Sequence, residues 1–208
     1  MVNQEIAKKT ILEAARTLIK KFGWKKLTVA MLLAEANVSD SAFKTCFDDL
    51  DELKMAYIQS QDFWFKQLGK LSKPEFNINS SKEVKEFVRS LMVERVNFIF
   101  ESEEWRDILQ EQLRTNDPLF SIVDETREKA LSMLLNIVNP FFPNSDCGIG
   151  VAMAILFGSI DYFSLPGAPH SILGFDPDSQ TPEHRQQLIK TIDLVIEGAF
   201  SQSPELVN

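Results

Sequence analysis

The stretch TVAMLLAEANVSDSAFKTCF, residues 28–47, decides the fold. Thr28 offers a hydroxyl to cap a helix, and Val29, Leu32, Leu33 and Ala36 follow it at helical spacing. Asn37 tolerates the left-handed backbone of a tight turn, Val38 is the apolar residue of that turn, and Ser39 caps a second short helix. Ala42, Phe43 and Phe47 give that second helix its buried side. Two short helices joined by about four residues form a helix-turn-helix, whose second helix fits a DNA major groove. An ordinary αα-corner in a helical core would show the same periodicity, so the flanking residues have to separate the two.

Upstream, ILEAARTLIKKFG (11–23) is an amphipathic segment closed by glycine, part of a helix expected over about 4–22. Trp24, just beyond Gly23, is expected to pack as a lid on this small domain. Downstream, Asp49, Leu50, Asp51, Glu52 and Leu53 form a capping box that opens a long helix. At these spacings roughly the first 55 residues resemble the DNA-binding domain of the tetracycline-repressor (TetR) family of bacterial regulators. The residues that carry the resemblance are Ile11, Ala14, Ala15, Phe22, Gly23, Thr28, Val29, Ala36, Val38, Ser39, Phe47 and Leu53. The rest of the chain resembles the family only in length and helical character.

Several positions depart from the family pattern. Leu33 stands where a small alanine is usual, and Asn37 where glycine is usual. Lys44 and Thr45 replace an aromatic and an often-found histidine, and Cys46 replaces a second aromatic. Leu50, beside Asp48 and Asp49, takes the place of a phosphate-gripping lysine. Lys44 can still neutralise a phosphate; Leu50 cannot.

Charge is distributed unevenly. The 208 residues carry a net charge of −8, yet residues 1–47 hold eight Lys/Arg against four Asp/Glu. A modestly basic head on an acidic body is the distribution expected of a protein that meets DNA at one end. Hydrophobic content of 44% and charged content of 25% describe a globular chain able to bury a sizeable core. Cys46 and Cys147 lie in unrelated contexts, which fits reduced thiols in a cytoplasmic protein. The N-terminus has no apolar signal core, and the apolar stretch near 149–160 is too short and interrupted to cross a bilayer, so no membrane partner is expected.

The remaining periodicities predict an all-α protein of about nine helices. Its expected divisions are a three-helix DNA-binding domain over 1–49 and a larger helical effector-binding and dimerisation domain over 50–208. A single helix is expected over about 50–71, the natural lever between the two. Further helices are expected over about 82–101, 103–116, 118–138, 147–165 and 182–201. Residues 166–181 hold too much Pro and Gly for a helix and could reach across to a partner subunit.

Enzyme chemistry has no inventory here. His170 sits in a loop and His184 at a helix start; no Gly-rich phosphate loop follows a strand, and no ligand spacing suits a metal, so neither cofactor nor metal is implied. Glu103–Glu104 and Asp48–Asp49 read as solvation and capping. Arg95 falls in the middle of an apolar helix face, either paired with a core carboxylate or anchoring an acidic or polar effector. Phe63, Trp64 and Phe65 on one helix and Phe98 and Phe100 on the next form aromatic stripes that serve a core or line a pocket.

Resemblance to the family implies a small-molecule cavity in the larger domain. Its expected lining is Tyr57, Trp64, Phe87, Leu91, Arg95, Phe98, Phe120 and Met133. A small hydrophobic or amphipathic effector would enter it. Gly150, Ala154 and Gly158 strip one helix ridge of side chain, and Ile192, Val195, Ile196 and Ala199 widen the stripe of the last helix. Paired with their symmetry mates, these two helices would form a homodimeric four-helix interface. DNA contacts fall to Thr28 and Ser39 with the N–H groups at their helix starts, to Lys44 and Thr45 for phosphates, and to Asp40, Ser41 and Ala42 for base edges. The expectation is a ligand-responsive repressor that binds a near-palindromic double-stranded operator as a dimer. The alternative is a TetR-like protein that has lost DNA binding and serves as a small-molecule or lipid-binding module.

Overall fold

A computed structural model describes residues 2–73, 77–115, 117–142, 149–163 and 181–201. Helix α1 (Val2–Phe22) ends at Gly23, whose N–H reaches the Ile19 carbonyl at 2.8 Å. Gly23 then adopts φ 81°, the left-handed region that L side chains disfavour. A Cβ there would meet no atom within 4 Å, so backbone strain alone sets the cost of a substitution. Gly23→Ala is expected to lower stability by about 1 kcal/mol in denaturant unfolding. A midpoint identical to that of the unsubstituted protein would contradict this.

After a 3₁₀ turn (Trp24–Lys26), the helix-turn-helix forms as its residues dictate. The Thr28 side-chain oxygen accepts the Met31 N–H at 3.3 Å and starts α2 (Val29–Ala36). Asn37 takes φ 51° and ψ 47°, and its N–H closes the helix on the Leu33 carbonyl. Ser39 Oγ accepts the Ala42 N–H at 3.1 Å and starts α3 (Asp40–Cys46). Ile11, Ala15, Leu32, Phe43 and Phe47 are buried beneath these helices. The capping box also forms: Asp49 accepts the Glu52 N–H at 2.8 Å, and the Glu52 carboxylate accepts the Asp48 N–H.

Helix α4 (Leu50–Gln61) corrects the expectation of one rod over 50–71. Buried Asp62 adopts an extended backbone, φ −75° and ψ 124°, and a separate α5 (Phe63–Leu71) begins after it. Aspartate is a poor helix-interior residue and a favoured one just ahead of a helix, so the chain breaks there. This break makes ten α-helices among the described residues, where about nine were expected.

The chain divides into two compact units. The first comprises Met1–Asp62 and Asp117–Asp124, so it extends beyond the expected boundary at residue 49. The reason is burial: Leu53, Tyr57 and Ile58 of α4 are core residues. Its second piece carries a 3₁₀ turn (Pro118–Phe120), capped by Asp117, which accepts the Leu119 N–H at 3.0 Å. Phe120 packs edge-on to Trp24 at 5.6 Å between centroids, and Tyr57 meets the same indole at 5.7 Å. Trp24 does close this small domain, as its position suggested.

The second unit comprises Phe63–Asn116 and Glu125–Asn208. Its described helices are α5, α6 (Ser81–Glu101), α7 (Glu103–Arg114), most of α8 (Ser121–Val138), α9 (Ile149–Phe163) and α10 (Pro182–Phe200). Helices α6 and α10 pack along their lengths with ion pairs at the edges: Lys85 to Glu197, Arg89 to Asp193 and Arg185 to Glu101. The hydrogen bond and charge of Asp193 hold the Arg89 guanidinium above its usual pKa. No described helix is long and apolar enough to cross a membrane. The expected loop at 166–180, with His170, and Cys147 lie outside the described residues.

Candidate functional site

Three groups of residues were expected to carry function, and the structure treats them differently. The first is the outer face of α3. Asp40, Ser41, Lys44 and Thr45 are exposed there, with Thr28 and Ser39 exposed at the helix starts and Ala42 half-buried. All seven expected DNA-contact residues therefore belong to one helix-turn-helix, with Phe43 and Phe47 turned into the core. Their polar atoms are partly engaged already. Thr28 and Ser39 act as caps, and Thr45 Oγ1 donates to the Ser41 carbonyl at 2.8 Å. Lys44 Nζ lies 2.7 Å from Asp40 Oδ2 in a pair whose side chains are 67% and 57% exposed.

That pair was not expected, although an i,i+4 spacing on a helix could have revealed it. An exposed ion pair is worth less than about 1 kcal/mol, so a DNA phosphate can compete for the lysine. The α3 end is also tied to the start of α1. Gln4 Nε2 donates to the Thr45 carbonyl at 2.7 Å, and Cys46, a free thiol, donates from Sγ to the Gln4 carbonyl at 3.7 Å.

The second group, the expected cavity lining, is split. Tyr57 and Phe120 belong to the first unit and pack on Trp24, so they do not join the other lining residues. Trp64, Leu91, Arg95 and Phe98 are in the second unit, where Leu91 is buried, and Phe87 and Met133 are half-buried there. Fully buried Arg95 is the centre of an aromatic cluster. Its guanidinium carbon lies 5.1 Å from the Phe63 ring centre, 5.7 Å from Trp64, 5.8 Å from Phe98 and 5.9 Å from Trp105. Arg95 Nε donates to Asp161 Oδ1 on α9 at 3.1 Å. Of the two expected roles for Arg95, pairing with a core carboxylate is the one observed. Sequence reasoning missed Asp161, far along the chain, and Trp105, which sits on the next helix beyond the turn at Ser102.

The third group is the outer face of α9 and α10. Ala154 and Gly158 are exposed, and no atom lies within 4 Å of a Cβ built on Gly158. Gly150 differs: a Cβ there would meet Leu135 Cδ2 at 3.1 Å, so its smallness serves packing within the chain. On α10, Ile192 and Ile196 are core residues at 1% and 3% exposure, which corrects their assignment to an outer surface. Ala199 is half-buried. Val195 does face outward, joined by Leu194 on α10 and by Val151 and Ile155 on α9. The apolar stripe of α10 is centred on its core side, so Ile192 and Ile196 turn inward and Val195 lies at its edge.

No family model and no curated protein matches the sequence. Solved structures do match the fold. A fatty acid degradation regulator, FadR, from Bacillus halodurans aligns with a TM-score of 0.65 at 15% identity, over 91% of this chain and 97% of its own. SCO4454, a TetR-family transcriptional regulator from Streptomyces coelicolor, gives 0.61 at 19% identity, over 96% and 99%. FadR from Bacillus subtilis, solved in complex with stearoyl-CoA, gives 0.60 at 15% identity, over 93% and 98%. The chain thus has, over nearly its whole length, the all-helical fold of TetR-type transcriptional regulators.

Proposed function

We propose that the protein is a ligand-responsive, DNA-binding transcriptional regulator, acting in the cytoplasm as a repressor and as a homodimer on a near-palindromic operator. The observation that carries this reading is the exposed polar face of α3, held outward by a capped and correctly turned helix-turn-helix. The first unit, which contains residues 1–49, supplies the reading head, and the second unit supplies effector binding and dimerisation. Each α3 would enter a major groove, with half-sites about one helical turn apart. Asp40 can accept from a cytosine amino group, Ser41 can bond either base edge, and Ala42 can touch a thymine methyl. Thr28, Ser39, Lys44 and Thr45 fix the helix against phosphates.

The effector reading is supported by the aromatic and aliphatic layer around Arg95, which suits a small amphipathic molecule. That FadR from Bacillus subtilis was solved with stearoyl-CoA is in keeping with such a ligand in this fold. Dimerisation through the exposed faces of α9 and α10 explains why Ile155 and Leu194, at 65% and 73% exposure, are apolar.

Selection of bound sites from a random duplex pool, with salt-dependent retention on duplex DNA, tests the reading. Lys44→Ala is expected to weaken binding to all duplexes alike and to reduce the salt slope by about one. Unaltered affinity and slope would remove Lys44 from the interface. The Asp40–Lys44 pair and Leu50 favour a second reading, a ligand- or lipid-binding module without DNA binding. Failure of the protein to hold any duplex at low salt, with a lipid bound in native mass spectrometry, would establish that reading instead.

A further inference from the structure

A cation in the centre of a helical bundle needs an explanation beyond stability, because a well-packed apolar residue serves stability equally well. Arg95 is fully exhausted of solvent and enclosed by Phe63, Trp64, Phe98 and Trp105. Its partner Asp161 is 22% exposed, so the carboxylate is the accessible edge of the cluster. Asp161 also lies between two guanidinium groups: its Oδ2 is 3.9 Å from Arg127 Nη2, while Oδ1 receives Arg95. Beside them, the indole N–H of fully buried Trp105 has no hydrogen-bond acceptor among the described residues. A buried donor left without an acceptor is costly, and it marks the place of a missing partner.

We propose that the Arg95–Trp105 layer is the head-group seat for an amphipathic monocarboxylate, whose carboxylate displaces Asp161 from Arg95 and accepts the Trp105 N–H. The proposal rests on the reading of the second unit as an effector domain and names the class of its ligand. Chemistry selects the anion. A carboxylate has two oxygens and about four lone-pair sites, enough to accept from a guanidinium and an indole together. The guanidinium carbon lies 5.9 Å from the Trp105 ring centre, so the guanidinium and the indole are immediate neighbours. A cationic ligand would meet Arg95 where the ring faces are already occupied by a cation. A neutral alcohol could accept from the indole but would leave Asp161 on Arg95. The exchange strands no charge, because Asp161 retreats toward Arg127 as the ligand takes Arg95. Surrounding aromatic and aliphatic side chains suit the alkyl chain.

Isothermal titration of the full chain with decanoate, decan-1-ol and decyltrimethylammonium separates these possibilities. Decanoate is expected to bind about tenfold tighter than decanol, the worth of charge-assisted hydrogen bonds, with the ammonium probe weakest. Trp105→Phe removes the donor while keeping a ring, and Arg95→Met removes the charge while keeping an unbranched chain. Each should bring the decanoate-to-decanol ratio close to one. Asp161→Asn keeps an acceptor for Arg95 but removes the competing charge, so decanoate should bind several-fold tighter to it and decanol unchanged. A purely structural Asp161 would give no such gain. Equal binding of the three probes, preference for decanol or the ammonium, no binding of any, or weaker decanoate binding to Asp161→Asn would overturn the proposal. Duplex retention of the ligand-free protein, measured in parallel, bears on the regulator reading alone; its loss with decanoate preference intact would strike that reading and leave this one standing.

Discussion

Asp161→Ala is expected to destabilise the second unit by about 3 kcal/mol, near the low end for breaking a buried ion pair because the carboxylate is 22% exposed. In a chain of this size that corresponds to a drop in Tm of roughly 6–12 °C. The cost arises from Arg95, which would keep its charge among four aromatic rings without the carboxylate that holds its Nε. Adding Arg95→Met to the same variant should recover most of the loss. Methionine carries no charge, is unbranched and packs well against aromatic rings. Thermal or urea unfolding of the four species in this double-mutant cycle measures the coupling. A single variant that melts with the unsubstituted protein, or a double variant no more stable than Asp161→Ala alone, would show that the pair is energetically idle.

Charges placed on the outer face of α9 and α10 should have an even larger effect, on assembly rather than on folding. Ile155→Glu with Leu194→Glu is expected to convert the proposed dimer to single chains in sedimentation at micromolar concentration. In an isologous interface each substitution meets its own copy or a close neighbour, so new carboxylates face one another across desolvated surface. Both positions are solvent-exposed in the single chain, at 65% and 73%, so its stability should change by no more than about 0.5 kcal/mol. Affinity for a two-half-site operator should fall with the dimer. Persistence of the dimer in this variant would move the interface elsewhere; single chains before substitution would remove it.

Local rules made the helix-turn-helix legible. Thr28, Asn37, Ser39, Asp49 and Glu52 each have one dominant structural use, and each is found in it. Helix limits over α6, α7 and α10 follow from periodicity and caps in the same way. What escaped the sequence was tertiary. The break at Asp62 depends on one residue inside a periodic run, and a single aspartate is weak evidence against a helix. Tyr57 and Phe120 look like lining residues until Trp24 is placed between them. Ile192 and Ile196 share a wide apolar stripe with Val195, and periodicity does not say which edge of a stripe faces inward. Asp161 reaches Arg95 across a long sequence separation, and Trp105 reaches it only because the chain turns between α6 and α7, a turn angle that periodicity does not give.

The placement of the three tryptophans has an optical consequence. Trp24 belongs to the first unit, half-buried against Tyr57 and Phe120, whereas Trp64 and Trp105 are fully buried around the Arg95 guanidinium in the second. Intrinsic emission is therefore divided between the two bodies by nature. A chain carrying Trp24→Phe would glow only from the layer around Arg95, and the difference from the unsubstituted chain would isolate the first unit, so each half carries its own lamp without an added dye.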